Sequence, residues 1–477
     1  MTVRDRHIEA LASFVDGPYS ILYKKEDLLA YDCDGFTLEK HLPKAVVFPE
    51  TTEQVANIVK YCSENGLPFL ARGAGTGLSG GAIPLNGEVI ISLVKMKRLI
   101  HVDFENRRAV VEPGFINLQL TNSIAAKGYY YAPDPSSQAC CTIGGNIAEN
   151  AGGAHCLKYG VTTNHVLGME VVLPNGEIIE IANEGIPDEP GYDLLGLLTG
   201  SEGTLGIVTK ITVRILKEPE AKQTVLAYFD TVEDASQAVS DIISAGIVPA
   251  ALEMMDQIAI EAVEAAAFPV GHPKDIAALL LIEVDGISAG IGEQIDEILT
   301  VCKKNHVREV KVAQDENERA RWWANRKTGF GAMGAISPDY LVQDGVIPRS
   351  KLPEVLRRIQ GISERYGLRI ANIFHAGDGN LHPLILFDAS VPEEAEKALK
   401  AGSECLKVCA DVGGTITGEH GVGIEKINEM RFVFSDEEIK AQTDIRQVFN
   451  PDNLLNAGKL FPTPSRCVEL KQERKRA

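Results

Sequence analysis

Pro68-Phe-Leu-Ala-Arg-Gly-Ala-Gly-Thr-Gly-Leu-Ser-Gly-Gly-Ala82 is the stretch on which the fold turns, because it contains a formal GxGxxG at Gly75, Gly77 and Gly80. A nicotinamide-binding βαβ unit needs a helix opening at those glycines, its N-terminus at the pyrophosphate, and an acidic residue at the end of the next strand. Here the glycines run into Ile83-Pro-Leu-Asn-Gly87 and then the strand-like Glu88 to Leu93. A proline and an Asn-Gly turn leave no room for that helix. What survives is a loop of closely spaced glycines whose bare N–H groups can converge on a diphosphate; a tight solvent turn is the competing reading.

Outward from this loop, from Ala45 to about Leu216, the chain alternates glycines, short apolar runs and turn signals with helical patterns such as Thr52 to Cys62. That texture reads as an α+β domain. Two similar passages follow, each strand, helix, strand. The first runs through Thr224 to Phe229, Val232 to Ser244 and Ala250 to Met255; the second through Leu279 to Val284, a helix to about Lys304, and Glu309 to Val312. In tandem they predict a ferredoxin-like antiparallel sheet backed by helices. A helical stretch rich in Arg and Trp, Glu316 to Lys327, leads into the last third. The domain boundaries expected are a helical segment over 1–37, a first domain over 38–217, a second over 218–448 and a C-terminal segment over 449–477.

A chain of 477 residues, 45% hydrophobic and 24% charged, can bury several cores. Its net charge of -19 argues against nucleic acid or an anionic membrane surface as partner. The basic stretch Lys471 to Ala477 reads as a solvated tail. No apolar run reaches the ~18–20 residues of a membrane span, and the start shows no signal-peptide pattern. Nine cysteines without a CxxC pair read as thiols in a reducing cytoplasm. Without a four-cysteine pattern the chain is not expected to hold an iron–sulfur centre of its own. Electrons removed from a substrate would leave through a partner or a diffusible acceptor.

Two further segments carry chemistry. In Asn372-Ile-Phe-His-Ala-Gly-Asp-Gly-Asn-Leu-His382, Asp378-Gly379 is a two-residue hairpin signal, and counting outward sets His375 opposite His382. Two imidazoles so placed could grip one divalent ion; two ordinary strand histidines are the alternative. In Gly413-Gly-Thr-Ile-Thr-Gly-Glu-His-Gly-Val-Gly423, a carboxylate and an imidazole stand between glycines on a loop. Glu419 would complete a set of two histidines and one carboxylate with open positions for substrate. His420 would then act as base, the alternative being a surface loop histidine.

The first loop and three later segments, Ala132 to Gln138, Cys140 to Gly153 and Gly200 to Val208, together resemble the FAD-binding domain of the vanillyl-alcohol oxidase or p-cresol methylhydroxylase (PCMH) superfamily. The resemblance covers roughly residues 40–217. It implies an α+β chain: a PCMH-type FAD-binding domain, then a substrate (cap) domain carrying the ferredoxin-like sheet, with 449–477 returning to the FAD domain. It also implies that Arg72, Gly73, Gly75, Thr76, Gly77, Leu78, Ser79 and Gly80 wrap the pyrophosphate. Pro133, Asp134 and Ser137, with Thr142, Gly144, Gly145, Asn146, Asn150, Gly152 and Gly153, would line the flavin. Glu202, Gly203, Gly206, Ile207 and Val208 complete the implied cofactor contacts. Many members tether the flavin through a histidine in the first loop; Thr76 stands about there, which implies non-covalent FAD.

At the histidine segments, and across Arg326-Lys-Thr-Gly-Phe330 and Ile336 to Pro348, the chain resembles the 2-hydroxy-acid branch of that superfamily. That branch comprises glycolate oxidase flavin subunits, D-lactate dehydrogenases and D-2-hydroxyglutarate dehydrogenases, the first matching best. The resemblance implies a divalent metal (Zn, Mn or Fe) at His375, His382 and Glu419, a catalytic His420, and Arg326 as clamp for the substrate carboxylate. It implies oxidation of glycolate to glyoxylate, with D-lactate as alternative, by hydride transfer to flavin N5. The hydroxyglutarate enzymes carry an asparagine and a lysine where this chain has Leu384 and Val342, so the small substrate is favoured. Iron–sulfur and second flavin-binding subunits are the implied partners, in the cytoplasm, with any membrane association through a partner. A non-catalytic flavin subunit, or a non-redox ether-lipid synthase on the same fold, are the rival classes.

Overall fold

Residues 5–182 and 190–462 are described by a computed structural model, and they divide into two units; the tail at 471–477 lies outside the described residues. The first unit draws on Met1–Gly152, Val161–Lys217 and Glu419–Ala477, the second on Gly153–Gly160 and Glu218–Gly418.

In the first unit the apolar runs Ala45–Val47, Phe69–Arg72 and Val89–Ser92 pair in parallel, with Val89–Ser92 in the middle. Continuous apolar runs are what a sheet covered on both faces requires. The helix Thr52–Glu64 covers this sheet with Val55, Ile58, Val59 and Cys62. It starts where Thr51 supplies an N-cap, its hydroxyl accepting from Gln54 N. A second, antiparallel sheet follows in the order Leu99–Asp103, Arg108–Val111, Ile207–Arg214, Val166–Val172 and Ile178–Ile181. The chain's last described stretch lies beside the parallel sheet: Phe69 N donates to Leu454 O (3.0 Å) and Asn456 N to Phe69 O (2.8 Å). Residues 419–448, expected with the substrate domain, cluster with this unit instead. The reason is backbone satisfaction. Ile424 N donates to Ser79 O (2.8 Å), and the Val422 and Gly423 amides donate to Glu202 (2.7 and 2.6 Å).

The second unit is built on seven strands in the order Glu309–Val312, Ala221–Phe229, Ala278–Gly286, Ala251–Asp256, Ile370–Phe374, Pro383–Phe387 and Asp339–Val342. Each neighbouring pair is antiparallel. The first four strands are the two interleaved strand-helix-strand passages of the sequence. Their helices, Val232–Ser244 and Ser288–Lys304, pack on that part of the sheet and bury Ala235, Val239 and Ile242, and Ile291, Ile295 and Ile298. The other three strands extend the sheet on the side that carries His375 and His382.

Asp256 closes one of the central strands. Its carboxylate caps the helix Gln257–Ala265 by accepting from Ala259 N, and it also accepts from Asn372 N and Nδ2, each at 2.9 Å. Burial outweighs these bonds and pushes the carboxyl up to about 6. A carboxyl raised on folding binds its proton more tightly in the native state. Its stabilising contribution is therefore full below about pH 4, the unfolded value, and is lost as pH rises through about 6. Asp256→Asn should remove that dependence: the wild-type minus variant unfolding free energy should fall by roughly 2–3 kcal/mol between pH 4 and 6.5 in urea denaturation and then stay flat.

Candidate active site

Arg72 closes its parallel strand and the glycine loop follows. The guanidinium is buried 5.5 Å from the Tyr31 ring centroid; burial pulls it below its ordinary range, while the Asp34 carboxylate works the other way. A Cβ at Gly73 would fall 2.4 Å from Thr142 Oγ1, and one at Gly75 2.3 Å from the Arg72 guanidinium. At Gly77 nothing lies nearer than 3.9 Å. The loop thus packs on itself at its start and opens at Gly77. Those features fit a diphosphate laid along backbone amides. Thr76 and Leu78 lie in the same loop, and Ser79 beyond them is buried.

The next segments are stitched together beneath the loop. Thr142 caps the helix Ile143–Glu149, its Oγ1 accepting from Gly145 N (3.2 Å), while Gly144 N donates to Pro113 O (2.8 Å). Buried Asn117, which sequence reasoning missed, donates Nδ2 to Pro133 O (3.0 Å) and to Asn146 Oδ1 (2.9 Å). The Asn146 side chain is engaged in holding the segment that leads through Asp134 to Ser137. Asn150 ends the helix left-handed (φ 54°) and accepts from Thr163 N (2.9 Å). Gly152 is the last residue here before the chain enters the second unit at Gly153. Gly206, where a Cβ would fall 2.5 Å from Val171, leads into Ile207 and Val208 at the start of the strand Ile207–Arg214.

Gly203 (φ 64°) follows Glu202, which anchors a loop. The Glu202 carboxylate is taken up by the amides of Val422 and Gly423, so it holds the loop after His420. Near it, burial and the Glu202 charge push Glu149 well above the usual carboxylate range. Burial raises Glu202 as well, although the amides of Val422 and Gly423 work the other way.

In the second unit the histidine hairpin departs from the expected register. His375 pairs with Asn380, His375 N donating to Asn380 O (3.1 Å), and the strands continue as Asn372 with Pro383, Ala371 with Leu384 and Ile370 with Ile385. The turn spans four residues because Asp378 Oδ1 accepts from Asn380 N (3.0 Å) and Gly379 (φ 85°) tucks under Ile347 O, where a Cβ would come within 2.2 Å. A slip of two residues preserves the face on which each side chain lies. His375 and His382 are accordingly diagonal neighbours, with ring centroids 5.1 Å apart and planes at 84°.

Glu253, in the strand Ala251–Asp256, is 1% exposed and accepts from His375 Nδ1 at 2.8 and 3.0 Å. The same carboxylate lies 2.5 Å from Arg326 Nη2. Burial opposes its charge, but His375 and Arg326 outweigh burial and hold the carboxyl below the usual range. Arg326, on the helix Glu316–Lys327, is 3% exposed, and its Nε has no hydrogen-bond partner among the described residues. A buried guanidinium that is anchored but not saturated suits an incoming carboxylate.

Asp344, also missed, accepts from Thr417 Oγ1 (2.6 Å) and Gly418 N (3.0 Å) and stands 3.5 Å from His382 Nε2. Glu419 and His420 follow Gly418 in the chain. Within the first unit Ser79 Oγ donates to His420 O (3.0 Å), and His420 Nε2 lies 3.9 Å from Glu419 Oε1. The loop is therefore anchored before Glu419 by Asp344 and after His420 by Glu202. Glu253 was detectable in principle as a lone charge in the apolar run Ala251-Leu-Glu-Met-Met255; Asp344 gives no comparable signal. Val342 and Leu384 are direct cross-strand partners and both are buried.

The model of an FAD binding domain matches residues 43–182, and that of the C-terminal domain of FAD linked oxidases matches residues 218–460. The chain is 47% identical to the glycolate oxidase subunit GlcD of Escherichia coli K12, over 96% of this chain and 92% of that one. It is 31% identical to the mitochondrial D-lactate dehydrogenase [cytochrome] of Arabidopsis thaliana, over 90% of this chain and 75% of the relative. Among solved structures, p-cresol methylhydroxylase with substrate bound superposes with a TM-score of 0.79 at 19% identity, covering 94% of this chain and 95% of that one. These matches span both units, and the chain belongs to the FAD-linked oxidases.

Proposed function

We propose that this FAD-linked oxidase converts glycolate to glyoxylate, with D-lactate as the alternative substrate. The observation that carries the reading is Arg326, a buried guanidinium with an unsatisfied Nε, tied through Glu253 to the first histidine of the His375–His382 pair. Arg326 would clamp the carboxylate and so fix C2 in one orientation. His420 would accept the hydroxyl proton at a ring nitrogen, at the end of a loop anchored on both sides. FAD, when bound non-covalently, supplies the acceptor for the hydride that leaves C2. A divalent ion (Zn, Mn or Fe) on His375, His382 and Glu419 would supply the positive charge that makes the hydroxyl more acidic. Support for this donor set is its chemistry, two imidazoles on one face and a carboxylate one residue beyond the Asp344-held Gly418.

The apolar pair Val342 and Leu384 favours a small substrate, since a second carboxylate placed there would lose its hydration without gaining a partner. The similar GlcD protein is named a subunit, and the sequence has no four-cysteine pattern. Both support electron transfer to iron–sulfur and second flavin-binding subunits. Among the described residues no helix is long and apolar enough to cross a membrane, and a cytoplasmic location belongs to the same proposal.

Anaerobic mixing with glycolate, D-lactate or D-2-hydroxyglutarate should bleach the flavin with the first two and not the third. A flavin that no hydroxy acid bleaches points instead to a non-catalytic subunit or an ether-lipid synthase. His420→Ala should keep FAD bound while the bleaching rate falls about 10²–10⁴-fold; unchanged bleaching removes His420 from the reaction. Chelation should slow bleaching, and elemental analysis should find about one metal per chain, as three ligands for one ion require. Full activity in metal-free protein would rule the ion out.

A further inference from the structure

We propose that Glu253 is a positioning residue that holds His375 and Arg326 in register with each other, and so sets the hydroxyl-to-carboxylate spacing that selects 2-hydroxy acids. The inference rests on the function proposed above and deepens it. Glu253 stands in the middle of a strand whose neighbours Leu252 and Met254 are 1% and 0% exposed. Buried ion networks are poor stabilisers compared with apolar residues of similar volume, so stability alone does not account for a charge there.

Its two contacts act on two different parts of the chemistry. By accepting from His375 Nδ1 at 2.8 and 3.0 Å, the carboxylate imposes the Nδ1–H tautomer and makes Nε2 the lone-pair nitrogen. A carboxylate behind a ligating histidine also raises the basicity of the ring and fixes its plane. At 2.5 Å from Arg326 Nη2, the same carboxylate pairs with the guanidinium charge, while Nε and Nη2 make no hydrogen bond among the described residues and remain as donors. One rigid strand residue thus fixes His375, a proposed ligand of the ion that would acidify the hydroxyl, relative to Arg326, the proposed clamp of the carboxylate.

The neighbouring strand offers a contrast. Glu283, equally buried, accepts from Thr224 Oγ1 (2.7 Å), Arg319 Nη1 (2.9 Å) and Trp323 Nε1 (2.5 Å). Its arginine is closed off in turn by Glu316, at 2.5 Å and 2.7 Å. That cluster is complete without a ligand. The Glu253 cluster leaves a buried donor open.

The test uses FAD-loaded full-length protein. Glu253→Gln keeps the shape and removes the charge; Glu253→Asp keeps the charge and withdraws it by one methylene. Equilibrium dialysis against zinc and manganese ions, and KM and kcat for glycolate and 3-hydroxypropionate, are compared with wild type, with FAD content as the check on folding. For Glu253→Gln, metal affinity should fall about 10–100-fold. KM for glycolate should rise at least about tenfold, as expected when a buried charged contact behind a clamp is lost. Preference for glycolate over 3-hydroxypropionate should narrow, with FAD content unchanged. Glu253→Asp should recover part of the metal affinity and little of the preference, and it decides the matter if the Gln variant does not fold. Metal affinity, KM and preference all within twofold of wild type overturn the inference. Wild-type protein that binds no metal defeats the metal reading itself, and KM and preference then decide for Glu253 alone.

Discussion

Placing a charge inside a sheet constrains everything around it, because a buried carboxylate must find donors or give up its charge. The second unit meets that constraint at Glu253 and Glu283, which sit on adjacent strands and are answered by Arg326 and Arg319 one helix face away. The helix Glu316–Lys327 therefore cannot slide without breaking an ion pair at each end. Its Trp322 and Trp323 pack into the same core, so apolar burial and charge pairing fix one position. Arg326 owes its place to that double constraint.

The first unit solves a different problem, crowding of backbone against side chains. At Gly73 and Gly75 side chains already fill the space a Cβ would need, and only a bare backbone can pass. The amides of Val422 and Gly423, with no helix or strand to satisfy them, turn to Glu202. Glu202 thus serves as a loop anchor within a sequence neighbourhood that reads as a cofactor segment. Glycine-rich segments that are far apart in sequence meet because each needs donors or acceptors that the others carry.

How much was legible follows the same division. The tandem strand-helix-strand passages could be read from periodicity alone, since 2.0 and 3.6 residue patterns mark strands and helices whose apolar faces are half buried. The strands Ile370–Phe374 and Pro383–Phe387 were visible as a hairpin, but their membership of the same sheet was not. That depends on Met254 and Met255 pairing with Phe374 and Ile373, more than a hundred residues away. The proline and Asn-Gly turn after Gly80, rather than the glycine spacing, argued against a nicotinamide helix, and no helix lies between Arg72 and Val89. The partners of Glu253 and Asp344 were hidden, because a buried carboxylate is identified by its donors, and these lie on other elements.

The hairpin shows why register can be wrong while its consequence stands. A two-residue turn and a four-residue turn differ by two residues of slip, and the side-chain period of a strand is also two. His375 and His382 therefore share a face in either arrangement, directly opposite in one and diagonal in the other. In the diagonal arrangement the ring centroids lie 5.1 Å apart with planes at 84°, edge to face rather than stacked. The Asp378 turn, which spoils the simple count, is what sets the two histidines diagonally on one face.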